Sequence, residues 1–216
     1  MAGRPPPEGR SRPRTIVRVL LSLLLVATTF ATHRAEGAPP ALPAEKVVEV
    51  AALPSTPEKL KELRDQVATS PIGGAAMFVV GMLAHGKDAK LGSQFFAQVM
   101  DSTSLEASKA DDSFGGFHPS GTDRGLLEQL PKDKPYTASC YVQGATPEGK
   151  YALPGGPLEI RITTNQYSVI NDTTIKVFVA SSGVDTARPI TLKLDAAGLW
   201  KAEEWSSLYV AIRPPK

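Results

Sequence analysis

The chain carries a single cysteine, Cys140, in 216 residues. No intrachain disulfide can form, even in an oxidising compartment. Cys140 reads as a small buried residue within a strand. The sharper alternative, a reactive thiol, needs a helix N-terminus or neighbouring cations to ionise it, and the flanking Ser139 and Tyr141 supply neither. Histidine is nearly as scarce, and beyond the N-terminal segment only His85 and His118 remain. Two histidines among scattered acids lack the spacing of a zinc or calcium site, so no metal and no cofactor is expected. The common catalytic signatures are missing as well: no G-x-S-x-G elbow, no H-E-x-x-H, no phosphate-binding loop and no dinucleotide fingerprint. Gly73-Gly74 lacks the later glycines and the lysine that a phosphate loop requires. No catalytic residue is therefore assigned.

There is also no surplus of one charge. Lys and Arg total 24 against 22 Asp and Glu, a net +2. The first 37 residues hold six of the basic residues (Arg4, Arg10, Arg12, Arg14, Arg18 and Arg34) and two acidic ones (Glu8 and Glu36), so the remainder carries −2. A nucleic-acid footprint is excluded on this balance. Long apolar runs are lacking too. The uncharged stretch from Val19 to Ala31 falls short of the ~20 residues that a spanning helix needs. With arginines before it and Ala35-Glu36-Gly37 after it, residues 1–37 read as a secretory signal peptide. The expected location is the periplasm or the cell exterior, with membrane contact only through this segment before cleavage.

What is present is a sequence for one domain. Residues 38–54 (APPALPAEKVVEVAALP) read as an Ala/Pro-rich tether, in which Val47, Val48 and Val50 offer a short strand. The domain is expected over 55–216. Ser55 or Thr56 followed by Pro57 and Glu58 starts a first helix, with Leu60, Leu63 and Val67 on one face. Ser70-Pro71 starts a second that is apolar nearly all round up to Gly86, and so a buried central helix. Gly81 within it points to a close helix contact. A third helix spans about Ala89–Met100. Residues 101–122 read as an irregular polar loop, and Asp123–Leu130 as a short helix that stops before Pro131. Strand patterns follow: Tyr136–Val142, Leu158–Thr164, Ile175–Val179, Ile190–Leu194 and Trp200 onward. Helices first and strands after give an α+β fold, the helices packed on a curved antiparallel sheet. By analogy alone, the last strands look like those of cystatin-like and nuclear-transport-factor-like cones.

Three pieces of the second half carry a family resemblance. They are Gly144-Ala-Thr-Pro-Glu148 with Tyr151; Ser181-Ser-Gly-Val-Asp185 running into Arg188-Pro-Ile-Thr-Leu192; and Trp200 with Glu204, Ser206, Ser207, Leu208 and Ile212-Arg213. Together they resemble a family of bacterial domains of unknown function with "GATPEN…Y", "SSGADSPRPI.L" and "W…E.SSLL..IR" motifs. Gly149 stands where that pattern has Asn, and Lys201 where it has an aromatic. The resemblance covers about Leu53–Pro214 and implies no established activity.

The least ordinary side chains define the candidate binding residues: Asp185, Arg188, Trp205, Arg213 and His118. Arg188 has a planar fork suited to a carboxylate or other anion. The plainer reading pairs it with Asp185 across the turn, with Pro189 starting a strand. Trp200 and Trp205, five apart on one strand, would face opposite ways, leaving one exposed. His118 lies close in sequence to Asp111, Asp112 and Asp123, while His85 is expected to cap the end of its helix. The function expected is a non-enzymatic binding or protein-interaction module with a protein or small-molecule partner. The alternative is a ligand-binding or enzymatic pocket between the helices and the concave face of the sheet, supplied by Asp185, Arg188, Glu203, Glu204 and His118.

Overall fold

The computed structural model describes residues 42–216, together with Met1 and Gly3. Those two residues apart, the expected signal peptide lies outside the described residues, as does the start of the tether. In chain order the elements are β1 (Glu45–Val50), α1 (Pro57–Val67), α2 (Pro71–Lys87), α3 (Ala89–Val99), β2 (Leu105–Ala107), β3 (Phe117–Pro119) and α4 (Gly121–Asp133). Then come β4 (Leu158–Thr163), β5 (Val169–Asn171), β6 (Thr174–Val179), β7 (Arg188–Leu194) and β8 (Trp200–Glu204). The fold is α+β, as the order of patterns implies.

The helices begin where side chains satisfy the free amides of the first turn. Thr56 accepts from Lys59 N at 3.3 Å, with Pro57 at the first helical position. Ser70 does the same for Gly73 N at 3.1 Å. Asp88 ends α2, and its carboxylate caps α3 by accepting from Leu91 N at 3.0 Å. Residues Pro71 to His85 of α2 are all buried. This helix is central: it packs against α1 and α3 and against the sheet strands, most extensively those that end the chain. Gly81 has the close contact expected of it, since a Cβ there would sit 3.2 Å from the Phe96 ring on α3.

The main sheet is antiparallel in the order β1-β4-β6-β7-β8, with β5 also paired to β6. Alternation decides its faces. Leu158, Ile160 and Ile162 of β4 and Ile175, Val177 and Val179 of β6 point inward, and their neighbours point out. The space between sheet and α2 is filled by these residues with Phe78, Ile190, Leu192 and Trp205.

Four local expectations change. The tether contributes a full strand, β1, because Val48 and Val50 bury against the core beside Ile160 and Leu158. The loop over 101–122 contains the β2–β3 hairpin. Helix α4 is longer at both ends and runs past Pro131, where a proline forfeits one backbone bond close to the helix end. Residues 136–142 form turns and a short 3-10 helix (Ser139–Tyr141), not a strand. Local bonds decide this: Cys140 N donates to Tyr136 O and Tyr141 N to Ala138 O, both at 3.3 Å. Tyr141 Oη is tied to Leu208 O at 2.6 Å.

Candidate functional site

The five residues singled out from the sequence do not converge. Three share one corner. Arg213 Nη1 donates to Asp185 Oδ1 at 2.7 Å, and Arg213 Nη2 to Ser182 O at 3.1 Å. Arg188 does not pair with Asp185; its Nη2 donates to Val210 O at 3.0 Å. These contacts fasten the C-terminal segment to the β6–β7 turn. The Asp185 side chain is 91% exposed, so the corner is a solvated ion pair and not a pocket. Trp205 is in the core, 5.4 Å from the Phe78 ring and 5.6 Å from Tyr209. Trp200 is buried as well. The expected opposite facing fails because β8 ends at Glu204. Trp205 leaves the extended conformation (φ −139°, ψ −8°), after a register shift opposite Thr191 and Leu192. Glu203 and Glu204 sit on β8, where Glu203 Oε1 accepts from Lys193 Nζ at 3.4 Å.

His118 does not line a cleft itself, but its partner Arg124 is in the wall of one of about 460 Å³, between the end of α2, α3, α4 and the loop before β3. That volume is in the range of small-molecule sites. Its walls include Phe96, Leu127 and Pro119, with Lys90, Asp111, Asp112, Arg124 and Glu128 among the polar groups. The polar network can be built from the hairpin outward. Glu106 and His118 are direct cross-strand partners, which brings Glu106 Oε1 to 3.0 Å from His118 Nε2. Arg124 Nη1 lies 3.0 Å from His118 Nδ1. A guanidinium only donates, so Nδ1 accepts and the ring proton sits on Nε2, facing Glu106. Arg124 Nη2 donates to Asp112 Oδ2 at 3.0 Å and Nε to Glu128 Oε1 at 2.8 Å. All three guanidinium nitrogens are therefore engaged.

Asp112 is only half satisfied. Its Oδ2 also accepts from Ser93 Oγ at 3.3 Å. Its Oδ1 is buried without a hydrogen-bond partner. His118 Nδ1 lies 3.5 Å away, but that nitrogen is already an acceptor and offers no proton. The second unmet group is His85. It does not cap α2, which continues to Lys87 and ends on Asp88. Its side chain is buried against Gly92, where a Cβ would lie 2.2 Å from His85 Cα, and its ring stands 5.6 Å from Phe96. His85 Nδ1 has no partner. Burial lowers its pKa below the ordinary 6.5, with Glu128 and Asp88 pulling weakly the other way, so the imidazole is neutral at pH 7.

Sequence reasoning found His118 and its acidic neighbours but missed Arg124, Glu106, Glu128 and the role of His85. The available signal was the Arg124–Glu128 spacing of four on a helix. The hairpin that sets Glu106 against His118 lies in the stretch read as a loop.

Cys140 sits in a smaller cleft of about 210 Å³ with Gln143, Arg161, Ser181 and Ser182. The thiol donates to Thr137 O at 2.9 Å and accepts from Ser181 Oγ at 3.0 Å. Burial pushes its pKa up to about 11, so it is a thiol and not a thiolate at neutral pH. Among the described residues no cluster of three or more His, Cys, Asp or Glu is arranged to hold a metal, and no helix is long and apolar enough to cross a membrane.

Comparison with known proteins returns one family. The family described as "Domain of unknown function (DUF6935)" matches residues 52–216, which takes in every element after β1. No curated protein and no solved structure matches the chain. The match spans most of the sequence and agrees with the resemblance carried by the motifs of the second half: the chain belongs to this family of domains of unknown function.

Proposed function

We propose that this protein is an exported, non-catalytic binding module that takes a small ligand in the cleft between α2, α3, α4 and the β2–β3 hairpin. The observation that carries the reading is the cleft itself: about 460 Å³, partly apolar, with buried polar groups that have no partner within the protein. Binding is favoured over catalysis by the state of the reactive groups. His118 is held on both ring nitrogens, which suits a structural strut better than a proton shuttle. The single thiol is buried and protonated. Export rests on the arginine-rich, apolar N-terminal segment.

A thermal-shift screen of metabolite classes tests the reading. A ligand at 100 times its Kd stabilises the fold by ~2.7 kcal/mol. Substitution of a cleft residue such as Leu127→Ala is expected to abolish the shift relative to that variant's own baseline. A hit whose shift survives every cleft substitution would place binding elsewhere. For export, N-terminal sequencing of the protein recovered outside the cytoplasm is expected to begin near Ala38.

A further inference from the structure

The cleft has a chemical bias that narrows its ligand, on the reading that it is a binding site. Two of its three cations are paired with carboxylates. Arg124 donates through all three nitrogens to His118, Asp112 and Glu128. Lys90 donates to Asp111 at 2.7 Å. Lys132, on the last turn of α4, is exposed at the rim, where solvent screens its charge. An anionic ligand would therefore meet Arg124 and Lys90 with their charge already offset by carboxylates.

The unmet groups lean the other way. Asp112 Oδ1 is buried, faces no donor and, as a carboxylate oxygen, only accepts. His85 lines the same cleft, is 7% exposed and has an unpaired Nδ1. The charges that act on His85 are carboxylates, those of Glu128 and Asp88. An unsatisfied buried acceptor costs about 1–3 kcal/mol, which a suitable ligand group would recover. A head group made only of donors, and positively charged, meets these conditions. An ammonium has three N–H donors and no acceptor.

We infer that the cleft recognises a small organic amine, whose ammonium bonds to Asp112 Oδ1 while its apolar body lies against the Phe96, Leu127 and Pro119 wall.

The test uses the purified protein and two matched probes, benzylamine and benzoate, titrated by protein-observed NMR with the cleft resonances assigned. Benzylamine is expected to give saturable shifts at Ser93, Asp112 and Leu127, and to bind at least about tenfold more tightly than benzoate, as a charge-assisted hydrogen bond implies. Asp112→Asn is expected to weaken benzylamine about tenfold and leave benzoate unchanged. Should Asp112→Asn not fold, Glu128→Gln, at an exposed helix position, is expected to weaken benzylamine severalfold. Equal or tighter binding of benzoate at the same residues would overturn the amine assignment and leave the cleft standing as a binding site. If neither probe perturbs the cleft at millimolar concentration, the site reading falls and the assignment with it. An amine response that neither variant alters also overturns the assignment.

Discussion

Arg64 and Lys201 converge on one carbonyl. Arg64 Nη1 donates to Gln98 O at 3.3 Å, and Lys201 Nζ donates to the same oxygen. Gln98 lies at the end of α3, where carbonyls lack helical partners and the helix dipole favours cations. Two cations on one acceptor repel, and Lys201 is buried. Burial first, and Arg64 second, lower its pKa from 10.5 to about 8, against the pull of Asp195 at 3.8 Å.

That shift has a definite sign in stability. Between pH 8 and about 10.5 the unfolded chain holds the Lys201 proton and the folded chain does not, so stability from this residue rises with pH across that window. The rise is at most about 3 kcal/mol. Cys140, Tyr141 and Tyr209 have raised values and act in the opposite direction in alkali. Denaturant unfolding of wild type and Lys201→Met, compared at each pH, isolates the lysine: wild type is expected to gain on the variant between pH 8 and 10.5, and the two to run parallel below pH 7.

Gly92 is the point where α3 meets the end of α2. A Cβ there would sit 2.2 Å from both Cα and Cβ of His85. Gly92→Ala is expected to destabilise by about 1–3 kcal/mol, because backbone must move to relieve the overlap. Gly125→Ala, on α4 with nothing within 4 Å, is expected to stabilise by about 0.5–1 kcal/mol through helix propensity alone. Opposite signs in paired urea melts would confirm the contrast; equal signs would refute it.

Arg124 and Asp112 are predicted to be coupled. Arg124→Met leaves the Asp112 carboxylate, only 14% exposed, without its cation and costs about 1–3 kcal/mol. A double-mutant cycle with Asp112→Asn is expected to return a coupling above about 0.5 kcal/mol. Additive losses would show that the network is ornamental.

Trp205 and Asp185, both marked from the sequence as binding candidates, are expected to behave very differently. Trp205→Ala removes a buried ring packed on Phe78 and should cost about 3–5 kcal/mol. Asp185→Asn breaks an exposed ion pair and should change stability by less than about 0.5 kcal/mol. Thermal denaturation of the two variants is sufficient to test this.

The fold was largely legible because its strongest signals are periodic. The capped starts at Thr56 and Ser70, the nearly all-apolar α2, and the alternation in β4, β6 and β7 each follow from local chemistry. Where alternation misled, at residues 136–142, an alternating apolar row had its backbone amides bonded locally. Trp205 misled for a related reason: strand parity applies only while the strand lasts, and β8 stops one residue earlier. The candidate site was legible only through His118 and its neighbours Asp111 and Asp112. Its other members come from α3, α4 and the β2–β3 hairpin, and nothing in the spacing of Glu106, Asp112 and Arg124 signals that a hairpin of two three-residue strands and a helix end will meet. Those contacts are made by tertiary packing.

The strand β1 separates what is recognisable from what is foldable. The family match begins at residue 52, two positions after β1 ends at Val50. Yet β1 pairs with β4 along its whole length, from Glu45 opposite Thr163 to Val50 opposite Leu158. A chain trimmed to the family boundary would uncover the backbone of β4 as an open edge and bare the core beside Ile160. Such an edge invites pairing between molecules. A shortened version that keeps this edge covered therefore has to begin no later than Glu45.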